Sequence, residues 1–403
     1  MNLMTTSAHT AAQKSAPVLS PGLILLMAVA TGLAAASNYY AQPLLETIAR
    51  AFHLSVNQAG FIVTTAQLGY AFGLLFLVPL GDMFERRTMI VVMTLLSAAG
   101  LLITANSTSI TMMLAGTALT GLFSVVAQVL VPLAATLAEP ERRGKIVGMI
   151  MSGLLLGILL ARTVAGLLAT LGGWRTVYWV ASVLMVVMAL ILWRALPRHK
   201  QETHLNYLQL MKSIFTLFFF TPVLRTRALL GMFIFANFSI IWTSMAFLLA
   251  GPNFGYSEGV IGLFGLVGAA GALAATRAGH LADKGKAHLT TTGGLILLLF
   301  SWIAIVYGQH SVISLIVGII VLDLCVQGVH ITNQSVIYKS MPEARNRLTA
   351  GYMTTYFIGG AVGSLVSASA FEMAGWNGVC AAGAAFCLIN LVIWLFGHKH
   401  KIV

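Results

Sequence analysis

The sequence predicts an all-α membrane protein of twelve transmembrane helices in two six-helix halves, on three observations. Of 403 residues, 58% are hydrophobic and only 8% charged, where an ordinary soluble domain carries about 25% charged residues; the mean hydropathy is +0.90. The apolar residues come in runs long enough to cross a hydrocarbon core, which takes roughly 20 residues per helix. The second half of the chain repeats the first at a nearly constant offset.

The first half has runs at roughly 21–44, 58–80, 88–105, 110–137, 146–171 and 176–196. The second has them at roughly 227–250, 258–281, 289–307, 311–338, 349–371 and 377–397. Lys14, the apolar stretch after it and the alanines at 34–36 imitate a secretory signal peptide. The basic segment is too long and too weakly charged for one, and Asn38 to Pro43 continues the span. The residues 1–20 and 399–403 are tails, 21–196 and 225–398 the two halves, and 197–224 the linker between them. Within the linker, HLNYLQLMKSIF reads as a basic, partly amphipathic helix lying on the membrane face.

The net charge of +12 raises the question of nucleic acid. Its distribution answers it. With the N-terminus placed in the cytoplasm, all but three of the 23 Lys and Arg residues fall on the inner side. Arg50 and Arg175 lie outside, and Arg162 lies within a span. This is the positive-inside asymmetry. It predicts a multi-pass protein of the plasma membrane, the bacterial inner membrane, with both termini cytoplasmic and the lipid bilayer, not nucleic acid, as its surroundings. Cys325, Cys380 and Cys387 all sit in apolar runs, so they offer neither a disulfide framework nor metal-ligand spacing. Asn106-Ser-Thr108 matches a glycosylation sequon in a very short loop and is read as chance.

The repeat is explicit. LAEPERRGKIVGMIMSGLLLG at 137–157 matches YKSMPEARNRLTAGYMTTYFIGG at 338–360, with Pro140 on Pro342, Met151 on Met353 and Gly157 on Gly359 at an offset of 202. GGW at 172–174 falls on AGW at 374–376, and Asp82 on Asp283. A six-helix unit has been duplicated in parallel orientation. The loop after the second span reads VPLGDMFERR at 78–87, and its copy in the second half reads GHLADKGK at 279–286.

These features resemble the major facilitator superfamily of secondary transporters, over essentially the whole chain. The family pattern in that loop is G-x-x-x-D-R-x-G-R-R. The first copy keeps Asp82, Arg86 and Arg87 and departs at Val78, Met83 and Glu85; the second keeps Gly279, Asp283, Lys284 and Lys286. The resemblance implies two halves around a central cavity, lined by spans 1, 4, 7 and 10, with no cofactor. It also implies that Asp82 and Asp283, with Arg86, Arg87, Lys284 and Lys286, gate the inner face, each Asp meeting a helix end of the other half. Spans 2, 5, 8 and 11 would form the contact between halves. Their glycines, among them Gly69, Gly73, Gly153, Gly157, Gly262, Gly265, Gly268, Gly359, Gly360 and Gly363, stand where sliding needs small residues.

Two ionisable residues lie deep in spans, Arg162 and Asp323. A charge at the bilayer centre costs at least about 2.5–3.5 kcal/mol, so each faces a cavity or a partner. Their depths below the outer face differ by only about 5 Å at 1.5 Å per residue. Three arrangements follow: direct pairing, a shared water-filled cavity, or an Arg162 that snorkels to the surface. Asp323, Gln327, His330 and Gln334 share one helix face. So do Thr117, Gly121, Ser124 and Gln128 in span 4, and Asn38 and Gln42 in span 1, beside Tyr39 and Tyr40. Asn237, Trp242 and Thr243–Ser244 add polar groups in span 7. The candidate substrate and proton site is therefore Arg162, Asp323, Gln327, His330, Asn38, Gln42, Tyr39, Gln128, Asn237 and Trp242.

No GxxxxGK[ST] loop appears, so ATP is not the driver. A carboxylate in a partly desolvated cavity can take up and release a proton. Asp323 is the first candidate carrier, and His330 the second. The chain most resembles the proton-coupled drug and metabolite exporters, with departures. Their span 4 pattern R-x-x-Q-G reads Thr117, Thr120 and Gly121 here, and Gly157-Ile158 replaces the Gly-Pro of span 5. The expected function is proton-coupled efflux of a small organic solute by alternating access. The alternative is an importer or facilitator of a small metabolite, and the remote alternative a non-transporting sensor or enzyme. No catalytic cluster and no feature demanding an obligate protein partner is visible.

Overall fold

A computed structural model of the protein describes residues 19–139, 141–200, 206–274, 282–341 and 344–399, with 271–274, 282–283 and 398–399 by their backbone alone. Lys14, Pro140, Arg277, Gly279, Pro342, Glu343 and Lys401, and the side chains of Asp283 and Lys399, lie outside the described residues. Among the described residues the secondary structure is helical throughout. Lipid offers no hydrogen bonds, so a crossing segment must satisfy its own backbone, and a helix does so.

Nine described helices are long and apolar enough to cross a membrane: Val56–Asp82, Arg86–Ala105, Ile110–Leu137, Arg143–Gly172, Trp174–Ala195, Pro222–Ala250, Lys284–Tyr307, Val312–Ser340 and Arg345–Gly397. The last holds two crossings. It breaks at Ala374 and Gly375, where Gly375 has φ 59°. The break is the repeat partner of Gly173, φ 79°, which parts the fifth crossing from the sixth. Both positions demand a left-handed residue, which explains why the repeated GGW and AGW keep that glycine. Pro21–Ala36 and Glu258–Ala274 supply the remaining crossings. Numbered in chain order, these are spans 1 to 12, with a helix Tyr207–Phe220 between the halves.

Polar residues at the loops start the helices. Ser20 caps span 1, Ser55 and Gln58 form a capping box on span 2, Glu85 caps span 3, and Ser109 and Ser311 cap spans 4 and 10. Each accepts from a first-turn N–H that the helix cannot satisfy itself. Span 1 differs from the continuous run in the sequence. Its helix stops at Ala36, the chain runs irregularly through Ser37–Ala41, and a short turn at Gln42–Leu44 carrying Pro43 leads into Leu45–Phe52. Pro43 has no N–H to donate to the preceding turn. The non-helical stretch holds Asn38, Tyr39 and Tyr40.

The glycines show how the helices pack, and most pack within a half. A methyl group on Gly157 would lie 2.5 Å from the Gly32 carbonyl carbon, and one on Gly153 would lie 2.7 Å from that of Ala28. Gly69 meets Ala118 and Gly121 of span 4, and Gly359 and Gly363 meet Met232 and Ala236 of span 7. These seats corroborate the duplication: span 5 lies on span 1 as span 11 lies on span 7. They correct the expectation for Gly69, Gly73, Gly153, Gly157, Gly359 and Gly363, which pack within their own half. Gly259 and Gly265 of span 8 do face span 5 of the other half, at Thr170 and Arg162, and two paired contacts also join the halves, Gly60 against Ala368 and Gly262 against Gly166. Each of those pairs is the other shifted by 202 residues, so one contact is used twice about the pseudo-twofold axis. Large apolar side chains such as Leu160, Val164, Leu171, Trp193 and Phe300 face outward, as a lipid-embedded surface requires.

Candidate functional site

Span 5 carries Arg162 into the centre of the molecule, where it is only 2% exposed. That excludes the snorkelling arrangement. Its Nε donates to Gln42 Oε1 at 2.6 Å, across to the broken segment of span 1. Its Nη1 makes a long contact of 3.5 Å to the Ile158 carbonyl on its own helix. Nη2 has no partner among the described residues. Aromatic rings surround the guanidinium: Trp242 at 4.0 Å to the centroid, Tyr39 at 4.9 Å and Phe238 at 5.2 Å. Ring faces are negative, and away from water a cation over one gains about 2 kcal/mol or more.

Asp323 of span 10 is buried on the other side of that box. Trp242 Nε1 donates to its Oδ1 at 3.5 Å, and its carboxylate lies directly against Gly268 of span 8. No ion pair joins Arg162 to Asp323. The described ion pairs are Glu46–Arg50 and Asp82–Arg86. The indole of Trp242 touches both Arg162 and Asp323, its face to the cation and its edge N–H to the acid. Direct pairing, one of the three arrangements, is therefore not formed.

The stripe below Asp323 is half-buried at Gln327, His330 and Gln334. His330 Nδ1 is 2.9 Å from the Tyr352 hydroxyl, and its ring lies 4.4 Å from that of Tyr356. Tyr356 stacks on Phe235 at 4.2 Å, which stacks on Phe238 at 5.4 Å. Tyr70 of span 2 lies beside Gln128 and meets Phe357 at 4.2 Å. Aromatic residues thus run from the Arg162 box down to His330. They escape notice in an apolar sequence, although Phe235, Phe238 and Trp242 do repeat at helical spacing.

The structure gathers Arg162, Gln42, Tyr39, Trp242 and Asp323, with Gln327, His330 and Gln128 further along the aromatic run. Two expected residues turn elsewhere. Asn38 donates to Ser124 at 2.7 Å inside its own half. Asn237 is fully buried against spans 9 and 12, accepting from Trp302 Nε1 at 2.9 Å and Cys387 Sγ at 3.2 Å. Thr243 and Ser244 pair with Ser364 and Ser367 of span 11, at 3.1 and 2.6 Å. These contacts are interhelical glue. Arg227, counted in the sequence as a surface charge, is 2% exposed. It donates to Thr291 and Asn333 at 2.9 and 3.1 Å and lies over Trp394.

At the face with the basic loops, Asp82 pairs with Arg86 at 3.2 Å. Arg86 also donates to the Gly81 carbonyl at 3.0 Å and to Thr136 at 3.4 Å, and Arg87 to the Leu196 carbonyl at 3.4 Å. The described contacts of Asp82 stay in its own half, where the family pattern led us to expect the other. Lys284 and Lys286 are exposed beside a left-handed Gly285. Glu85, a departure from the family pattern, has a role of its own. It accepts from the N–H groups of Arg87 and Thr88 at 2.9 Å and of His199 at 3.2 Å. Partial burial pushes its carboxyl upward, and the hydrogen bonds from Thr88, Arg87 and His199 outweigh this and hold it below the usual range. At the opposite face the halves are tied together. Glu372 of span 11 accepts from the Asn57 N–H of span 2 at 2.7 Å, and Thr47 hydrogen-bonds Glu258 at the start of span 8.

The family model described as Major Facilitator Superfamily matches residues 27–342 and 228–402. The uncharacterized transporter YgaY of Escherichia coli O157:H7 is 73% identical over 383 residues, covering 95% of this chain and 97% of that protein. The probable transporter SCO4007 of Streptomyces coelicolor is 31% identical over 366 residues, covering 91% and 85%. Among solved structures, a bacterial homolog to the human lysosomal transporter Spinster, inward-facing and occupied, has a TM-score of 0.79 at 15% identity, covering 94% and 96%. The nucleoside transporter NupG has a TM-score of 0.75 at 15% identity, covering 92% and 98%. These two structures are similar in fold.

Proposed function

The chain belongs to the major facilitator superfamily of transporters, and we propose that it is a proton-coupled exporter of a small organic solute, working by alternating access in the bacterial inner membrane with both termini cytoplasmic. The observation that carries the coupling is the arrangement at Asp323, a buried carboxylate near Arg162 that accepts from Trp242 and forms no ion pair. A salt-bridged acid stays ionised; an unpaired acid in a dry site can bind a proton and release it when its surroundings change. Arg162, Gln42, Tyr39 and Trp242 form the solute end of the site. Gln327, His330 and Gln128 extend it, and His330 is a second proton group. The Lys and Arg asymmetry supports the orientation, with the basic loops inside. Asp82, Arg86 and Arg87, with Asp283, Lys284 and Lys286, gate that inner face in the state where it closes.

The test is a growth panel followed by reconstitution. Wild type and Asp323→Asn are expressed in an efflux-deficient bacterial host across toxic compounds and metabolite analogues. The expected result is protection by the wild type against at least one compound and none by the variant. That compound is then followed in proteoliposomes under an imposed pH gradient. Full gradient-driven transport by Asp323→Asn refutes the coupling. Sensitisation of cells, or improved use of a solute, by the wild type refutes export and installs an importer.

A further inference from the structure

We propose that Trp242 is a spacer, a positioning residue whose ring keeps Arg162 from closing onto Asp323 and so keeps the acid free for its proton. This rests on Asp323 as the proton carrier and adds a residue that acts on it without carrying the proton or reaching the solute through its N–H.

The argument begins with reach. On span 8, a methyl group at Gly265 would meet the Arg162 Cβ at 3.1 Å, and one at Gly268 would meet Trp242 Cζ2 at 3.0 Å and the Asp323 carboxylate. Gly265 and Gly268 stand three residues apart, a rise of about 4.5 Å. The base of Arg162 and the carboxylate of Asp323 therefore lie within one helical turn of each other along one helix. An arginine side chain covers that separation. The guanidinium has an edge to spare, since Nη2 is unpartnered and Nη1 makes only its long contact to Ile158. A carboxylate matches that planar edge by two parallel hydrogen bonds. Charge, geometry and distance all favour the pair, yet it is absent, and the indole engages both partners, the cation over its face and the acid at its edge N–H.

The indole compensates both sides for the pair it prevents. Its face holds the cation and its N–H holds the acid, so neither is stranded in a dry site. It is seated from behind by Phe238 at 6.0 Å and from below by Gly268, which leaves no room for a side chain between them. A ring is required and an aliphatic side chain is not enough. The charged and titratable groups that face Asp323 from the surrounding elements are Arg162 on span 5 and the hydroxyl of Tyr356 on span 11.

The experiment is a double-mutant cycle in thermal melting of the detergent-purified full chain, read beside transport. The variants are Trp242→Leu, Trp242→Phe, Asp323→Asn and the two doubles. If Trp242 is a spacer, Asp323→Asn lowers the melting temperature more in the Trp242→Leu background than in the wild type, because there it breaks a newly formed ion pair. In the Trp242→Phe background it acts as in the wild type, because the ring remains. Transport driven by a pH gradient falls at least tenfold in Trp242→Leu. Equal effects of Asp323→Asn in all three backgrounds overturn the proposal. Should Trp242→Leu not fold, the phenylalanine variant decides alone: an effect of Asp323→Asn on melting in the Trp242→Phe background that differs from that in the wild type shows that the N–H matters and the spacer does not. Failure of the parent reading looks different, since gradient-driven transport would then survive Asp323→Asn in the wild-type background.

Discussion

Replacing Gly157 by alanine tests the packing of span 5 on span 1. The added methyl lies 2.5 Å from the carbonyl carbon of Gly32, where ordinary contact begins near 3.4 Å. What it strikes is backbone, which cannot rotate aside, so the helices must part by about 0.9 Å. A gap of 0.5–1 Å forfeits roughly a quarter to a half of each dispersion contact, which is worth about 0.1–0.2 kcal/mol. The crossing engages Gly32, Gly153 and Gly157, with on the order of 40 atom pairs, as many as one buried leucine makes. The loss is then about 2 kcal/mol. Alanine's preference for helix does not offset it, since a lipid-embedded helix remains helical when separated from its neighbour. At roughly 2–4 °C per kcal/mol for units of 150–250 residues, melting in detergent falls by about 4–8 °C. Gly148 provides the control: on the same helix, nothing lies within 4 Å of its added methyl, and Gly148→Ala melts like the wild type. Equal melting of Gly157→Ala and wild type, or an equal fall in Gly148→Ala, refutes the packing argument.

Asn237→Ala strands the N–H of Trp302 in a dry interface and costs about 1–3 kcal/mol in thermal melting, while folded variant transports like the wild type; selective loss of transport returns Asn237 to the solute site. Glu85→Ala removes the cap of span 3 and costs no more than about 1 kcal/mol at this half-exposed position. The Glu85 carboxyl is held down in the folded protein, so its contribution is complete above its unfolded pKa and disappears as pH falls through its folded one. The melting difference between Glu85→Ala and wild type should therefore vanish at acid pH, and a difference that persists there contradicts the assignment. Glu372→Gln weakens the tie to the Asn57 N–H and lengthens the mean distance between spin labels at Ala51 and Met373; an unchanged distribution denies Glu372 a part in closing that face.

Much of this was legible because a bilayer makes some choices expensive. Arg162 and Asp323 stand out in the sequence since a charge at that depth must have a reason, and both prove to be central. The duplication is legible from a few fixed points, and Gly173 and Gly375 explain why two of them persist. The direction a polar residue faces is not legible at the same level. Asn237 and Gln42 have equal claims in sequence; one bonds Trp302 and Cys387 behind its helix, the other bonds Arg162. A helix face suited to a cavity and one suited to a neighbouring helix use the same residues. Trp242 illustrates the limit best. Its place in span 7 shows an aromatic near polar groups, but that it touches two charges depends on helices 5 and 10 meeting beside it.

The central site and the closure of the face opposite the basic loops use the same stretch of helix. A methyl on Gly262 would meet the Arg162 carbonyl at 2.6 Å, Thr163 donates to the Gly262 carbonyl at 2.9 Å, and Gly265 bears on the Arg162 side chain. Opening that face requires span 5 to slide off span 8, so Arg162 cannot keep its position over Trp242 while the face opens. Asp323 touches span 8 one turn further along, at Gly268, and its helix moves with the other half. Motion between the halves therefore changes the separation of the cation, the indole and the acid directly, with no relay of intermediate residues. That is the physical requirement for coupling a proton to alternating access: the group that binds the proton must sense which face is closed. In the proposed mechanism Asp323 senses this through Arg162, because the contact that closes the face and the seat of the Arg162 side chain at Gly265 are neighbouring turns of one helix pair.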